Sequence, residues 1–296
     1  MISCSADALE AGESLAGTAP EASVWVVVEQ AGPWGRDALT DSRLPVEVSA
    51  WLVDAKRAGA GVLLARHPDR PQRSASPGRH AWVARCAPGE PVLRHAVLPD
   101  LHALLEWDAA RVASGDIDAI GEPAGPLLTL VCTHSGRDAC CAVAGRDMIG
   151  RVAARGRTGA AVLGPVWECS HVGGHRFAPV LLSLPSGALH GRVPPDATDA
   201  LDAILRGDVV LDHLRGLTAL PPADQAAVIE VARRTGIDPL RLSVVDGPSV
   251  TVEDPKGRAW RVDVTEVPLA RDRRESCGKD QIPGTGWTCT AIQPVS

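Results

Sequence analysis

LLTLVCTHSGRDACCAVAG, residues 127–145, opens the reading of this chain. Residues 127–132 form a short, mostly apolar run, with the length of a buried strand. THSGRDA interrupts it with turn-forming residues, and a helix is predicted through AVAGRDMIGRVAAR, residues 142–155. VWEC (166–169) reads as a second, short strand. APVLLSLPSGALHGRV (178–193) reads as a hairpin turning at PSG, and ALDAILRG (200–207) as a helix that Asp196 can cap. The order is β, α, β, β-hairpin, α, which is an α/β pattern with both element types mixed along the chain.

Working outward, the same order stands upstream. VWVVVE (24–29) is a strand, and residues 45–58 are a predicted helix with Val46, Val48, Leu52 and Val53 near one face. GVLLAR (61–66) is the next strand, HPDRPQRSASPGR (67–79) an exposed loop, and HAWVARC with PVLRHAVL a pair of strands around APGE. A helix is expected over residues 99–113. The two halves also share Gly35-Arg36-Asp37-Ala38 and Gly136-Arg137-Asp138-Ala139, each after an apolar strand. Shared element order plus this match predicts an internal duplication whose first copy lacks the cysteines. Trp34, in GPWG of the first copy, is expected to pack against the other half or as a core residue of its own turn. GEPAGP (121–126) reads as the linker, giving units over 1–123 and 124–216. A third part, 217–296, holds a helix through PADQAAVIEVARRTG. RLSVVD, SVTVED, AWRVDVTEV and WTCTAIQPV follow as a small antiparallel sheet with turns at DGPS and DPKG.

The chain has 296 residues, 45% hydrophobic and 22% charged, with a formal net charge of −6. That hydrophobic content supports packed cores rather than general disorder. The acidic balance and the lack of a Lys/Arg run argue against a nucleic-acid surface. No apolar run reaches the roughly 18 residues that would span a bilayer. MISCSADALEAGE carries acidic residues and no basic start or apolar core, unlike a secretory signal, so a cytoplasmic location is expected. In a reducing compartment, eight cysteines point to metal binding or redox chemistry rather than to disulfides.

Half the cysteines and a third of the histidines fall between residues 132 and 175: Cys132, Cys140, Cys141, Cys169, His134, His171 and His175. Thiolate and imidazole are the donors that suit zinc and iron–sulfur centres. They come in two loops, CTHSGRDACC and CSHVGGH, each beginning at a strand end. Gly173 and Gly174 allow the turn that aims His171 and His175 at one point. Cys132 ends its strand, while either Cys140 or Cys141 opens the next helix, whose N-terminus favours a thiolate. Cys169 and His134 are further candidates. Arg137, Asp138 and Arg176 flank the loops, where they can support the donors, and Asp138 can equally cap the helix. Elsewhere, Cys4 is expected in a flexible terminus and Cys86 in the core. Cys277 and Cys289 could approach each other across a hairpin.

CTHSGRDACC followed by WECSHVGGHRFAP resembles the sucrase/ferredoxin-like family, with VEQAGPWGRDAL and ESCGK extending the likeness over most of the chain. The combination Cys-x8-Cys with His-x3-His carries the resemblance. It implies a thioredoxin-like ferredoxin domain, here as two thioredoxin-like units in tandem plus a C-terminal α+β region. It implies a [2Fe–2S] cluster on Cys132 and Cys141 on one side and His171 and His175 on the other. Cys140 and Cys169 are extra thiols that would make the set Cys3His or Cys4. One-electron transfer is the expected function, at a potential raised by neutral imidazoles and falling as pH rises. A separate reductase or flavoprotein would supply electrons, because no Gly-rich dinucleotide fingerprint follows a strand. Nothing in the residues supports sucrase chemistry, which needs paired carboxylates. Two rivals use other chemistry: a structural Cys2His2 zinc site, and a thiol–disulfide oxidoreductase, for which no Cys-x-x-Cys exists.

Overall fold

The computed structural model describes residues 3–68, 78–157, 165–245, 247 and 249–295. Residues 69–77 of the expected loop over 67–79, and Asp246 and Pro248 of the DGPS turn, lie outside the described residues. In the first half, β1 (Val24–Glu29) and β2 (Gly61–Arg66) run parallel, with Trp25 opposite Gly61. Helix α2 (Val46–Arg57) crosses between them. β3 (Arg79–Arg85) pairs antiparallel on the other side of β1, and β4 (Val92–Leu98) pairs with β3. In the second half, β6 (Leu128–Cys132) and β7 (Val166–Cys169) are likewise parallel and joined by α4 (Ala139–Arg157). β8 (Val180–Leu184) pairs antiparallel with β6, and β9 (Ala188–Gly191) with β8. The halves thus repeat one strand order, β2-β1-β3-β4 and β7-β6-β8-β9.

These two sets meet edge to edge. β2 and β7 pair antiparallel through Ala65–Cys169 and Arg66–Glu168, so both halves build one ten-stranded sheet. The short β5 (Glu122–Pro123) extends one edge beside β4, and β10 (Leu214–Leu217) extends the other beside β9. Glu122 and Pro123 of GEPAGP are therefore part of a strand. Mixing β and α elements this way places the chain in the α/β class.

Period-two alternation divides the strands between two cores. Trp25 and Val27 face a cluster with Leu63, Trp82, Leu130 and Trp167. Val24, Val26 and Val28 face the opposite way, onto Val48 and Leu52 of α2. The buried stripe of α2 is Val48, Trp51, Leu52 and Ala55, whereas Val46 is 79% exposed, contrary to the expected face. The expected helix over 99–113 is instead a 3-10 turn, Leu101–Glu106, and a separate α3, Ala109–Ala113. Asp108 starts the second piece by accepting the Arg111 N–H at 2.9 Å. Ala197, not Asp196, occupies the N-cap of α5 (Thr198–Arg206), and no side chain caps it.

Beyond β10, α6 (Pro222–Thr235) packs Val228 and Val231 against Val252 and Val262 of a four-stranded antiparallel sheet. That sheet comprises β11 (Ser243–Val245), β12 (Val250–Glu253), β13 (Ala259–Pro268) and β16 (Thr285–Val295). β14 (Arg273–Arg274) and β15 (Gln281–Ile282) form a small ribbon, against which the first helix, α1 (Cys4–Glu10), is packed. Among the described residues, no helix is long and apolar enough to cross a membrane.

Candidate metal centre

Cys132 and Cys169 end the parallel neighbours β6 and β7 and stand opposite each other in register. Parallel strands release their loops at the same sheet edge, which brings residues 133–138 beside residues 170–175. The Thr133 N–H donates to the Cys169 carbonyl at 3.1 Å, holding the first loop down. Beneath it, Arg66 donates to Glu168 at 2.7 Å, and the Thr133 hydroxyl donates to the same carboxylate oxygen at 2.6 Å. This buried ion pair links the first half of the sheet to the floor of the site.

Above that floor three donors converge. The sulfurs of Cys132 and Cys141 lie 4.0 and 3.9 Å from His171 Nδ1, and all three donor atoms are within 4.8 Å of one another. Both cysteines are buried and His171 is half-buried. Cys141 occupies the first turn of α4, where the helix dipole favours a thiolate. The hydrogen bond from Cys141 pulls the Cys132 thiol well below its ordinary range, against its burial and with help from His171. The same bond and burial push the Cys141 thiol up. The His175 ring stacks on His171 with centroids 5.2 Å apart. Burial lowers the pKa of His175, keeping its imidazole neutral, as a metal ligand must be.

Gly173 and Gly174, at φ +102° and +71°, make the turn between the two histidines. Arg215, fully buried on β10, fastens that turn: Nη1 donates to the Gly173 carbonyl at 2.9 Å and Nε to Thr18 Oγ1 at 3.1 Å. A further donation reaches the Thr18 carbonyl, and the guanidinium stacks on Phe177 at 4.7 Å. Burial lowers the Arg215 pKa to about 9. Sequence reasoning missed this residue. Its one signal is an arginine inside the apolar stretch LRGLTAL. Arg176 points the other way, pairing with buried Glu13 at 2.8 Å, which Arg273 also reaches at 3.1 Å. Arg137 lines a cleft of about 160 Å³ with Arg36, Lys56 and the exposed edge of His171.

The remaining candidates are placed elsewhere. Cys169 packs in the apolar core and its sulfur is outside the donor group. His134 donates from Nε2–H to the Gly35 carbonyl oxygen of the first half at 2.6 Å, and its ring is edge-on to Trp34. Trp34 thereby joins the two halves. Cys140 turns away from Cys141: its sulfur lies 3.4 Å from Cys4 and 3.3 Å from Cys277. Cys4 is not in a flexible terminus but at the start of α1, fully buried. Cys277 belongs with Cys4 and Cys140 rather than with Cys289, whose sulfur approaches the Ala226 carbonyl at 3.6 Å. Cys86 is buried in the core. Asp138 spans the two groups of donors. It accepts the Cys140 N–H at 2.8 Å and the Cys277 N–H at 2.9 Å, and lies 3.5 Å from His175 Nδ1. Burial alone would raise its pKa, but those N–H groups and His175 hold the carboxyl down to about 2.

The sucrase/ferredoxin-like family model matches residues 15–216, which takes in the whole ten-stranded sheet up to Gly216 of β10 and every donor from Cys132 to His175. No curated protein and no solved structure matches the chain.

Proposed function

The chain belongs to the sucrase/ferredoxin-like family, and from that premise we propose that it holds a [2Fe–2S] cluster on Cys132, Cys141, His171 and His175 and serves as a one-electron carrier. When bound, such a cluster supplies reversible one-electron chemistry. The observation that carries the reading is the convergence of two buried sulfurs, 4.0 and 3.9 Å away, on the Nδ1 of a half-buried histidine. The His175 imidazole stacks behind it. Mixed thiolate and imidazole donors of this kind fit an iron–sulfur centre, and the Cys141 hydrogen bond pulls the Cys132 thiol toward the thiolate that such a centre needs.

The protein's own part is to bind and orient. Cys132 is fixed by the strand, Cys141 by the helix start, and the two histidines by the glycine turn that Arg215 clamps. The apolar core below, with Trp167 and Phe177, keeps water from the buried side. His171 opens onto a cleft where Arg36, Lys56 and Arg137 outnumber the single carboxylate of Asp37. Its cationic rim favours a partner with an acidic docking face, in line with a separate reductase as electron source.

A potentiometric titration repeated across pH tests the ligand set. Two imidazole ligands give a midpoint that falls as pH rises, because reduction is accompanied by proton uptake. A midpoint that is flat from about pH 6 to 10, which brackets histidine titration, contradicts histidine ligation.

A further inference from the structure

Three cysteines outside the proposed cluster set meet at one point. Cys4 comes from α1, Cys140 from the start of α4, and Cys277 from the turn between β14 and β15. Their sulfurs form a triangle with sides of 3.3, 3.4 and 3.6 Å. Asp138 adds a carboxylate, its Oδ1 lying 3.7 Å from the Cys4 sulfur, and all four donor atoms lie within 4.8 Å of one another. Cys4, Cys140 and Asp138 are buried, and Cys277 is at the margin.

We propose that Cys4, Cys140, Cys277 and Asp138 form a second metal site, one that takes a single zinc-class divalent ion and ties α1 and the β14–β15 turn to the ligand helix.

The distances favour one ion over the alternatives. Sulfurs bound to one tetrahedral zinc at about 2.3 Å stand about 3.8 Å apart, close to the observed triangle. A disulfide would join two sulfurs at about 2.05 Å and leave the third thiol packed against the bond. In a [4Fe–4S] cluster each thiolate takes its own iron, which needs a wider spread of sulfurs. The donor types agree: three sulfurs and one carboxylate oxygen, beside the Ser5 hydroxyl 3.4 Å from Cys140, make a set that zinc accepts. The surroundings are also arranged as a second layer. The Ser276 hydroxyl donates to Asp138 Oδ2 at 2.9 Å, and the Cys277 N–H donates to the same oxygen at the same distance. These bonds orient the carboxylate, and Oδ1, which accepts the Cys140 N–H at 2.8 Å, keeps its second lone pair for a metal. With every position filled by protein, the site is closed, as structural zinc sites are.

The test uses the full chain purified without oxygen, incubated with zinc chloride and freed of excess metal. Elemental analysis should give one tightly held zinc per chain. Zinc-edge X-ray absorption should show three sulfur neighbours at about 2.3 Å and one lighter atom. Cys277→Ser should lose that zinc while keeping its iron. Absence of stoichiometric zinc, zinc with two sulfur and two nitrogen neighbours, zinc that survives Cys277→Ser, or a disulfide among these three cysteines would each overturn the proposal. The X-ray absorption result on the unmodified chain decides the matter even if Cys277→Ser fails to fold. Loss of one zinc with three sulfur neighbours in Cys277→Ser, measured against the unmodified chain, is read the same way whichever metal the first site holds.

Discussion

His175 Nδ1 stands 3.4 Å from the Cys4 sulfur and 3.5 Å from Asp138 Oδ2, so an imidazole proposed for one donor set touches two members of the other. A carboxylate beside the distal nitrogen of a metal-bound histidine fixes its tautomer and raises its basicity. Asp138→Asn removes that charge. Iron affinity should fall roughly 10-fold or more, read by chelator competition. An unchanged affinity would mean that Asp138 does not support His175.

The four cysteines of residues 132–169 are all buried and separate by the donors their sulfurs meet. Cys141→Ala should abolish iron binding and visible colour. Cys169→Ala should keep both, since its sulfur packs in the apolar core, and should cost about 1 kcal/mol of stability for the lost contact. Colour lost from Cys169→Ala and kept by Cys141→Ala would reverse the assignment.

Gly174 tests the histidine turn. At φ +71° a side chain is strained, and a Cβ there would strike the Arg215 guanidinium. Gly174→Ala should cost about 1–3 kcal/mol from the backbone alone and should loosen iron retention, read by thermal melting and iron content. Arg215→Ala should act alike, leaving the Gly173 and Thr18 carbonyls without their donor. Full iron loading in both variants would show that the turn needs no clamp.

Acid stability should report on His190. It is buried at the β8–β9 pairing, its Nε2 accepts the Val210 N–H at 3.2 Å, and burial holds its pKa down to about 3. The folded chain keeps this imidazole neutral while the unfolded chain protonates it below about pH 6.5. Its contribution is therefore complete above that pH and is lost progressively as pH falls toward 3. Between pH 7.5 and 5 the loss should be about 2 kcal/mol in urea unfolding, and His190→Gln should remove most of that slope. Equal slopes in both proteins would exclude His190 as the cause.

Local pattern carried most of this fold. The strands β1, β2, β6 and β7 are apolar runs ended by polar or small residues, and the GRDA repeat lies after β1 and β6 in each half. The break at Trp107 was not legible, because Asp108 reads equally as a helical surface residue or a new cap. Val46 looked like a core residue, yet α2 meets the sheet through Trp51 and Ala55 instead, a choice set by packing against β1. At the site, the crowding of cysteines and histidines between Cys132 and His175 is legible in the sequence, whereas the choice of Cys132, Cys141, His171 and His175 among them rests on the family resemblance. Cys4 and Cys277 could not, since each reaches Cys140 across more than a hundred residues and no spacing rule covers that distance. Arg215 escaped for the same reason: its partners, Thr18 and Gly173, lie on two other segments.

The most direct test of the central claim is iron and acid-labile sulfide analysis, with a UV–visible spectrum, on the full chain purified without oxygen. Two irons and two sulfides per chain, with absorption between roughly 400 and 600 nm that bleaches on reduction, are the predicted result. A colourless protein with zinc bound by Cys132, Cys141, His171 and His175 would contradict it and make the site a structural clamp.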